Sequence, residues 1–421
     1  MLHFAKGGIG YAYTPEELRG TIFSVLEKLG PKKKVLVIPP DFTRFFSRAG
    51  EITRYIYEFY GEALTDILPA LGTHFPMEEE EIEKMFAGVP KSLFREHKWR
   101  EDVVTVGIVP REYVKEVSGG AVDYEWPAQV NKMLIEGGYD LILSIGQVVP
   151  HEVLGMANYN KNIFVGTGGA EGINKSHFIG AAYGMEKVMG RAINPVRKVL
   201  NYASDHFAKD MPIVYVQTVI SGGADGLQLR GLYIGDDMEC FEKASALSLE
   251  TNFVMMEREM KKVVVYLDPE EFRSTWLGNK SIYRTRMAIA DEGELIVLAP
   301  GLKQFGEDPT IDKLIRKYGY VHTPQVMKYV EENEDLKNSL GVAAHLIHGT
   351  SEGRFKVTYC PGHLTREEIE GVGFGYADLS TMMKKYDPKK LKDGWNMVDG
   401  EEIFYISNPA LGLWAYRERF K

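Results

Sequence analysis

Six residues stand out for chemistry. Asp41 and Arg44 share the stretch "PPDFTR", His74 closes "LGTH", His151 follows a proline in "GQVVPHE", Lys161 lies ten residues on in "NYNKNIFVG", and His177 sixteen further in "INKSH". Arg44 is suited to a carboxylate, because its guanidinium donates two parallel hydrogen bonds. Two histidines on separate loops, His74 and His151, suit acid–base work on the two sides of one carbon, since imidazole titrates near neutral pH. Singly, each residue has a plain reading. An Asp-x-x-Arg after a strand is usually a turn with a capping interaction, a histidine beside glycine or proline is usually a satisfied loop residue, and a loop lysine is usually solvated. Their joint placement carries the sharper reading.

Two common alternatives fail. In "VGTGGAEGINKS" glycines fall at 166, 168, 169 and 172, whereas G-x-G-x-x-G requires one where Glu171 stands, and no G-x-x-x-x-G-K-[ST] occurs. A cradle for a single phosphate or a flexible turn fits that stretch equally well. His345 and His348 sit in the apolar run "VAAHLIHG", where packing is the expected role, and no set of three or four side-chain metal ligands stands out.

The elements that must position these groups are readable. "KVLVIPP" is a β-branched strand stopped by Pro39 and Pro40, and "SRAGEITRYIYEFYGEA" places Ile52, Ile56, Phe59 and Ala63 on one helical face. "DVVTVGIV", "YDLILSIGQVV" and "MPIVYVQTVIS" are further apolar strands, with a helix expected over Val130 to Glu136. Strands apolar throughout and alternating with helices imply parallel sheets covered on both faces. In such sheets binding residues gather on loops at the carboxyl ends of strands, where these groups lie. A second strand–helix series runs from "KKVVVYLDPEEF" through "GELIVLAPG", "PTIDKLIRKYG" and "FKVTYCPG". The expectation is therefore an α/β chain of two domains, each a mostly parallel sheet flanked by helices, with the active site in the cleft between them. Residues 1–262 form the first domain and 263–401 the second, with 402–421 returning to the first.

A chain of 421 residues, 44% hydrophobic and 26% charged, has ample core for two domains. A net charge of −9 argues against a general nucleic-acid surface. Cys240 and Cys360 alone cannot build a disulfide framework or a thiolate zinc site. Without an 18-residue apolar run or a signal-peptide pattern, the expectation is a cytoplasmic protein acting on a small molecule, with no membrane partner.

Taken in order, Asp41-x-x-Arg44, "LGTH" ending at His74, "PHE" at His151, Lys161 and His177 resemble the lactate racemase family, the nickel-pincer-nucleotide-dependent 2-hydroxyacid racemases and epimerases. The likeness runs over most of the chain and is strongest from about residue 36 to 180. The resemblance implies an isomerase. Lys161 would tether a pyridinium-3,5-bisthiocarboxylic acid mononucleotide carrying nickel, His177 would complete a square-planar metal site, and Gly166, Gly168 and Gly169 would hold the cofactor phosphate, with Asp41 orienting this region. His74 and His151 would alternate as base and acid at the hydroxyl while Arg44 holds the carboxylate. Cofactor-building proteins would be partners, the cofactor being absent without them, and homo-oligomerisation is left open.

Two stretches depart from the family. Where relatives read like G-G-x-K-x-x-x-P-G, this chain has Asn158, Tyr159 and Asn160 before Lys161, and Val165 in place of the proline, so the backbone is expected to differ there. In the second domain "WLGNKSIYRTR" replaces a Gln and Lys pair. Lys280, Arg284 and Arg286, with Trp276 and Tyr283 against a carbon skeleton, point to a sugar acid resembling an aldonate rather than lactate. Lactate or another short 2-hydroxy acid is the alternative substrate. A metal-free oxidoreductase or lyase and a cofactor-free sugar-acid-binding protein are the competing functions.

Overall fold

The computed structural model describes residues 1–223 and 226–420. Lys421, the end of the segment expected to return to the first domain, lies outside them. The chain divides into two units, Met1–Ile179 with Lys187–Asn252, and Gly180–Glu186 with Phe253–Lys421.

In chain order the first unit contains β1 (Leu2–Gly7), α1 (Pro15–Leu29), β2 (Val35–Ile38), α2 (Ala49–Tyr60), β3 (Leu64–Ile67), β4 (Val103–Val109), β5 (Trp126–Asn131), β6 (Leu141–Gln147), α3 (Ala170–Tyr183), which begins here, α4 (Pro195–Phe207), β7 (Ile213–Gly223), β8 (Gly226–Gly235) and α5 (Met238–Asn252). Six strands form one sheet in the order β1-β8-β7-β6-β2-β3. β3, β2, β6 and β7 run parallel, whereas β8 and β1 add an antiparallel edge. All four residues of β2 are fully buried, as a strand covered on both faces requires. Ile52 and Ile56 of α2 join Leu18, Ile22 and Val25 of α1 in the core on one face. Thr14 caps α1 by accepting from the Glu17 amide, with Pro15 opening the helix.

The helix expected over Val130 to Glu136 is mostly absent. β5 continues through Asn131 because Val130 pairs with Val104, and only Met133–Glu136 is helical. β4 and β5 form their own antiparallel ribbon, outside the main sheet.

The second unit contains β9 (Met260–Tyr266), β10 (Ile289–Ala299), α6 (Pro309–Tyr318), α7 (Leu340–His348), β11 (Lys356–Pro361), β12 (Gly375–Tyr376), β13 (Gly394–Val398) and β14 (Glu401–Ile406). Its sheet runs β12-β11-β10-β9-β14-β13, parallel except for the last pair. The C-terminal segment does not return to the first unit as expected. β14 lies against β9, and Trp414–Tyr416 pairs in parallel with Val254–Met256. For the same reason this unit starts at Phe253, earlier than the expected 263. Both units are thus mostly parallel sheets flanked by helices. Among the described residues no helix is long and apolar enough to cross a membrane.

Candidate active site

β3, β2 and β6 are neighbours in the first sheet, so the loops leaving their carboxyl ends emerge side by side. After β2, Pro40 bridges to Ala70, and Asp41 caps the short 3-10 helix Phe42–Ser47, accepting from the Thr43 amide at 3.2 Å. This is the turn that Asp-x-x-Arg predicts in its plainest reading. Asp41 does more, because its other oxygen lies 2.6 Å from His74 Nδ1. Arg44 interrupts the 3-10 helix with non-helical dihedrals. After β6, Pro150–His151 pairs with Gly155–Met156 in a two-residue ribbon, and the Val153 amide donates to His151 Nδ1 at 3.1 Å.

These charges act on one another. Burial pushes the Lys161 amine down to about 8, assisted by Arg44 and opposed by Asp41 and Glu152. Burial likewise pushes His151 down to about 3, Glu152 opposing while Lys161, Arg44 and His177 contribute. His177 is lowered by burial, with Lys161 and His74 adding to the effect. The structure therefore gathers Asp41, Arg44, His74, His151, Lys161 and His177 into one electrostatic neighbourhood. Glu152 belongs to it as well, although sequence reading passed over it; its position directly after His151 was the available signal.

The turn before Lys161 is built without glycine. Asn158 and Tyr159 both adopt left-handed backbone, with φ of 69° and 60°. That is a conformation glycine adopts readily, here taken by two non-glycine residues. A left-handed tyrosine costs roughly 1–2 kcal/mol, and packing offsets it. The Tyr159 ring lies 4.3 Å from Tyr215 and stacks on Phe241 at 5.2 Å. Asn158 Nδ2 donates to the Gly146 carbonyl at 2.6 Å. Arg197, fully buried on α4, donates to the carbonyls of Met156 and Asn158 at 2.7 and 3.2 Å and to Asn160 Oδ1 at 2.5 Å. Lys161 leads into the π-helix Asn162–Gly166, a form frequent at functional sites.

His177 lies on α3, two turns in. Its Nδ1 donates to the Ile173 carbonyl at 2.7 Å, which leaves the Nε2 lone pair for a ligand. The start of α3 is seated on β5. Trp126 Nε1 donates to the Gly172 carbonyl at 2.8 Å, Gln129 Oε1 accepts from the Gly172 amide at 3.1 Å, and His97 Nε2 donates to the Gly168 carbonyl at 3.0 Å. Sequence reading missed these three, since nothing local marks a side chain that caps a helix elsewhere in the chain.

The glycines of "VGTGG" have steric reasons of their own. An added Cβ would meet Ala70 Cβ at 2.7 Å from Gly166, the Phe164 carbonyl oxygen at 2.0 Å from Gly168, and Gln129 Oε1 at 2.5 Å from Gly169. Close packing of protein on protein accounts for all three without a phosphate.

The expected recognition segment lies within the second unit. Arg284 and Arg286 are buried, and Arg286 Nε donates to Glu186 Oε1 at 2.9 Å, an oxygen that Arg354 also contacts at 3.3 Å. Arg286 is thus engaged in holding this unit together. Tyr283 is buried, Trp276 stacks on His345 at 4.4 Å, and Lys280 sits 5.6 Å above the Phe272 ring. His345 and His348 are packed inside α7, His345 bonded to the Tyr320 hydroxyl at 2.8 Å. No group of three or more His, Cys, Asp or Glu suited to a metal occurs among the described residues.

Residues 23–189, which include every one of the six first-unit groups, match the lactate racemase N-terminal domain. A protein of known crystal structure from Thermotoga maritima is 27% identical, with a TM-score of 0.81 over 98% of this chain and 100% of that one. The lactate racemase apoprotein from Thermoanaerobacterium thermosaccharolyticum is 17% identical, with a TM-score of 0.72 over 98% of this chain and 94% of that one, and shares the fold. No curated protein matches the chain in sequence. The first unit is therefore a lactate-racemase-type α/β domain with a histidine, lysine and arginine site at its strand ends. Residues 23–189 of the chain thus match the lactate racemase N-terminal domain, and the whole chain shares the fold of the lactate racemase apoprotein.

Proposed function

We propose that this protein inverts the C2 centre of a 2-hydroxy acid with the help of a lysine-tethered nickel-pincer nucleotide. The single observation that carries the reading is the convergence of an amine with lowered pKa, an imidazole with its Nε2 lone pair open and two further histidines around Arg44. The donor set fits the cofactor on two counts. The Lys161 amine, pushed down to about 8, has a larger neutral fraction near physiological pH than a free lysine and is suited to an amide-type linkage. The Nε2 lone pair of His177 suits a metal. The glycines at 166, 168 and 169 do not carry the phosphate role in this reading, since packing explains them.

When bound, the nucleotide supplies a reversible hydride acceptor, which avoids deprotonating a C2–H that is a very poor acid. Arg44 binds the substrate carboxylate in a forked pair and fixes the distance of C2 from the loops. His74 and His151 exchange the hydroxyl proton on the two sides of C2. Asp41 orients the His74 ring and balances its charge when protonated. Closely packed protein around Lys161 and His151 lowers the local polarity there, which strengthens each charge–charge contact, whereas His74 reaches the site from an exposed loop.

Sugar acids resembling aldonates are the first substrate class in this reading, and lactate and other short acids are the second. The test is the intact mass and nickel content of the chain produced together with cofactor-building enzymes. A mononucleotide-sized adduct on Lys161 with near-stoichiometric nickel, followed by isomerisation of one acid in a panel, is the expected result. An unmodified chain that binds sugar acids without isomerising them would instead support a binding protein.

A further inference from the structure

The two histidines of the site are held by partners of opposite character. His74 Nδ1 faces Asp41 at 2.6 Å. Burial raises the Asp41 carboxyl, but the His74 and Thr43 hydrogen bonds and the Lys161 charge outweigh it, and its pKa falls below the usual carboxylate value. An ionised carboxylate only accepts, so His74 Nδ1 carries a hydrogen and a neutral ring presents the lone pair at Nε2. His151 is held the other way round. A backbone amide only donates, so the Val153 contact at 3.1 Å leaves Nδ1 of His151 without a hydrogen. Glu152 stands 3.9 Å from that nitrogen, beyond hydrogen-bond reach. With burial disfavouring a second proton, and Arg44 adding to it, the ring is neutral and its hydrogen sits on Nε2.

We propose that the pair is not interchangeable at the start of a turnover: His74, backed by Asp41, is the proton acceptor, while His151 enters as a neutral hydrogen-bond donor through Nε2–H. This rests on the reading of the site as a 2-hydroxy-acid isomerase. For the substrate whose hydroxyl faces His74, the O–H bond would break and an N–H bond form at Nε2, with Asp41 balancing the resulting imidazolium, while the C2 hydrogen would leave as hydride to the acceptor of the proposed function. His151 then holds a carbonyl oxygen of the 2-keto acid, as a neutral imidazole can. To give that hydrogen to the oxygen of the inverted product it must first gain a proton at Nδ1 and release the Val153 amide, since otherwise it would become an imidazolate. To act as base, it must first move its hydrogen to Nδ1 and give up the Val153 amide. The Asp41 carboxylate and the Val153 amide are thus positioning groups that set opposite tautomers.

The test is nitrogen NMR of the full-length chain labelled with 15N-histidine, following both ring nitrogens by long-range proton correlation, with His74→Gln and His151→Gln used for assignment. The expected spectra place His74 Nε2 in the unprotonated range with Nδ1 protonated, and His151 the reverse. Asp41→Ala should move His74 towards the Nε2–H form and leave His151 unchanged. The same tautomer at both rings in the unsubstituted chain overturns the inference, whether or not Asp41→Ala folds. Because the spectra need neither substrate nor cofactor, that outcome would overturn it even where the adduct and isomerisation tests succeed. Opposed tautomers in a chain that never accepts the adduct would count against the functional reading instead.

Discussion

Arg197 and Asn160 are joined inside the first unit, the guanidinium donating to the amide oxygen at 2.5 Å with no part of Arg197 exposed. Two backbone carbonyls take further bonds from the same group. Arg197→Met would leave three buried acceptors without a donor. The expected cost is on the order of 3 kcal/mol or more, from buried acceptors left unsatisfied at about 1–3 kcal/mol each, read as a lower urea midpoint. A variant as stable as the parent would show that the loop before Lys161 is held by other means.

Lys161 is a stability liability whose size depends on pH. Its pKa is about 8 in the fold against 10.5 for a free lysine, so the folded protein disfavours the charged form. The cost is fully present below pH 8 and shrinks as pH rises towards 10.5, because only the unfolded chain still binds the proton in that window. Lys161→Met should be more stable than the parent by roughly 3 kcal/mol at pH 7, an order-of-magnitude figure. Urea unfolding across pH 7 to 10.5 checks this; a stability difference that does not change with pH would contradict it.

The turn before Lys161 requires a backbone shape rather than particular side chains. Tyr159→Gly keeps left-handed φ accessible and should still allow cofactor loading, at a cost of about 3 kcal/mol for the lost ring. Tyr159→Val, β-branched and strained at φ above zero, should lose the adduct in intact-mass measurement. Equal loading of both variants would separate loading from turn geometry.

Much of the parallel framework was legible because β2 and the "LILSI" and "LIVLA" segments of β6 and β10 are apolar runs. The antiparallel edge formed by β8 and β1 was not, since strand direction leaves no local mark. Val130 shows tertiary pairing overruling helical spacing: its registry with Val104 decided the element. At the site, residue types and loops were legible. The hydrogen-bond partners were not, because the Val153 amide and Arg197 act through geometry that only the fold creates. Asn158 and Tyr159 read as departures from a glycine pattern, yet packing from Tyr215 and Phe241 holds Tyr159 in left-handed backbone.

Arg44→Lys keeps the charge but loses the fork. On the proposed function it should raise KM for the 2-hydroxy acid about 10- to 100-fold while changing kcat much less. Steady-state kinetics decide it, and an unchanged KM would remove Arg44 from the carboxylate.

Gly168→Ala would drive a methyl group to within 2.0 Å of the Phe164 carbonyl oxygen. A loss of about 1–3 kcal/mol is expected from overpacking, seen as a lower melting temperature before any cofactor is present. A variant that melts like the parent and fails only in loading would return this glycine to a phosphate role.

The seat of α3 has a consequence for how the molecule is made. Its anchors, His97, Trp126 and Gln129, precede the groups they hold by 71, 46 and 43 residues. A ribosome adds roughly 5–20 residues per second, so the β4–β5 ribbon leaves the exit tunnel seconds before the segment carrying His177. The later helix meets a receptor already translated, and the wall that carries His177 is finished in the order in which the message is read.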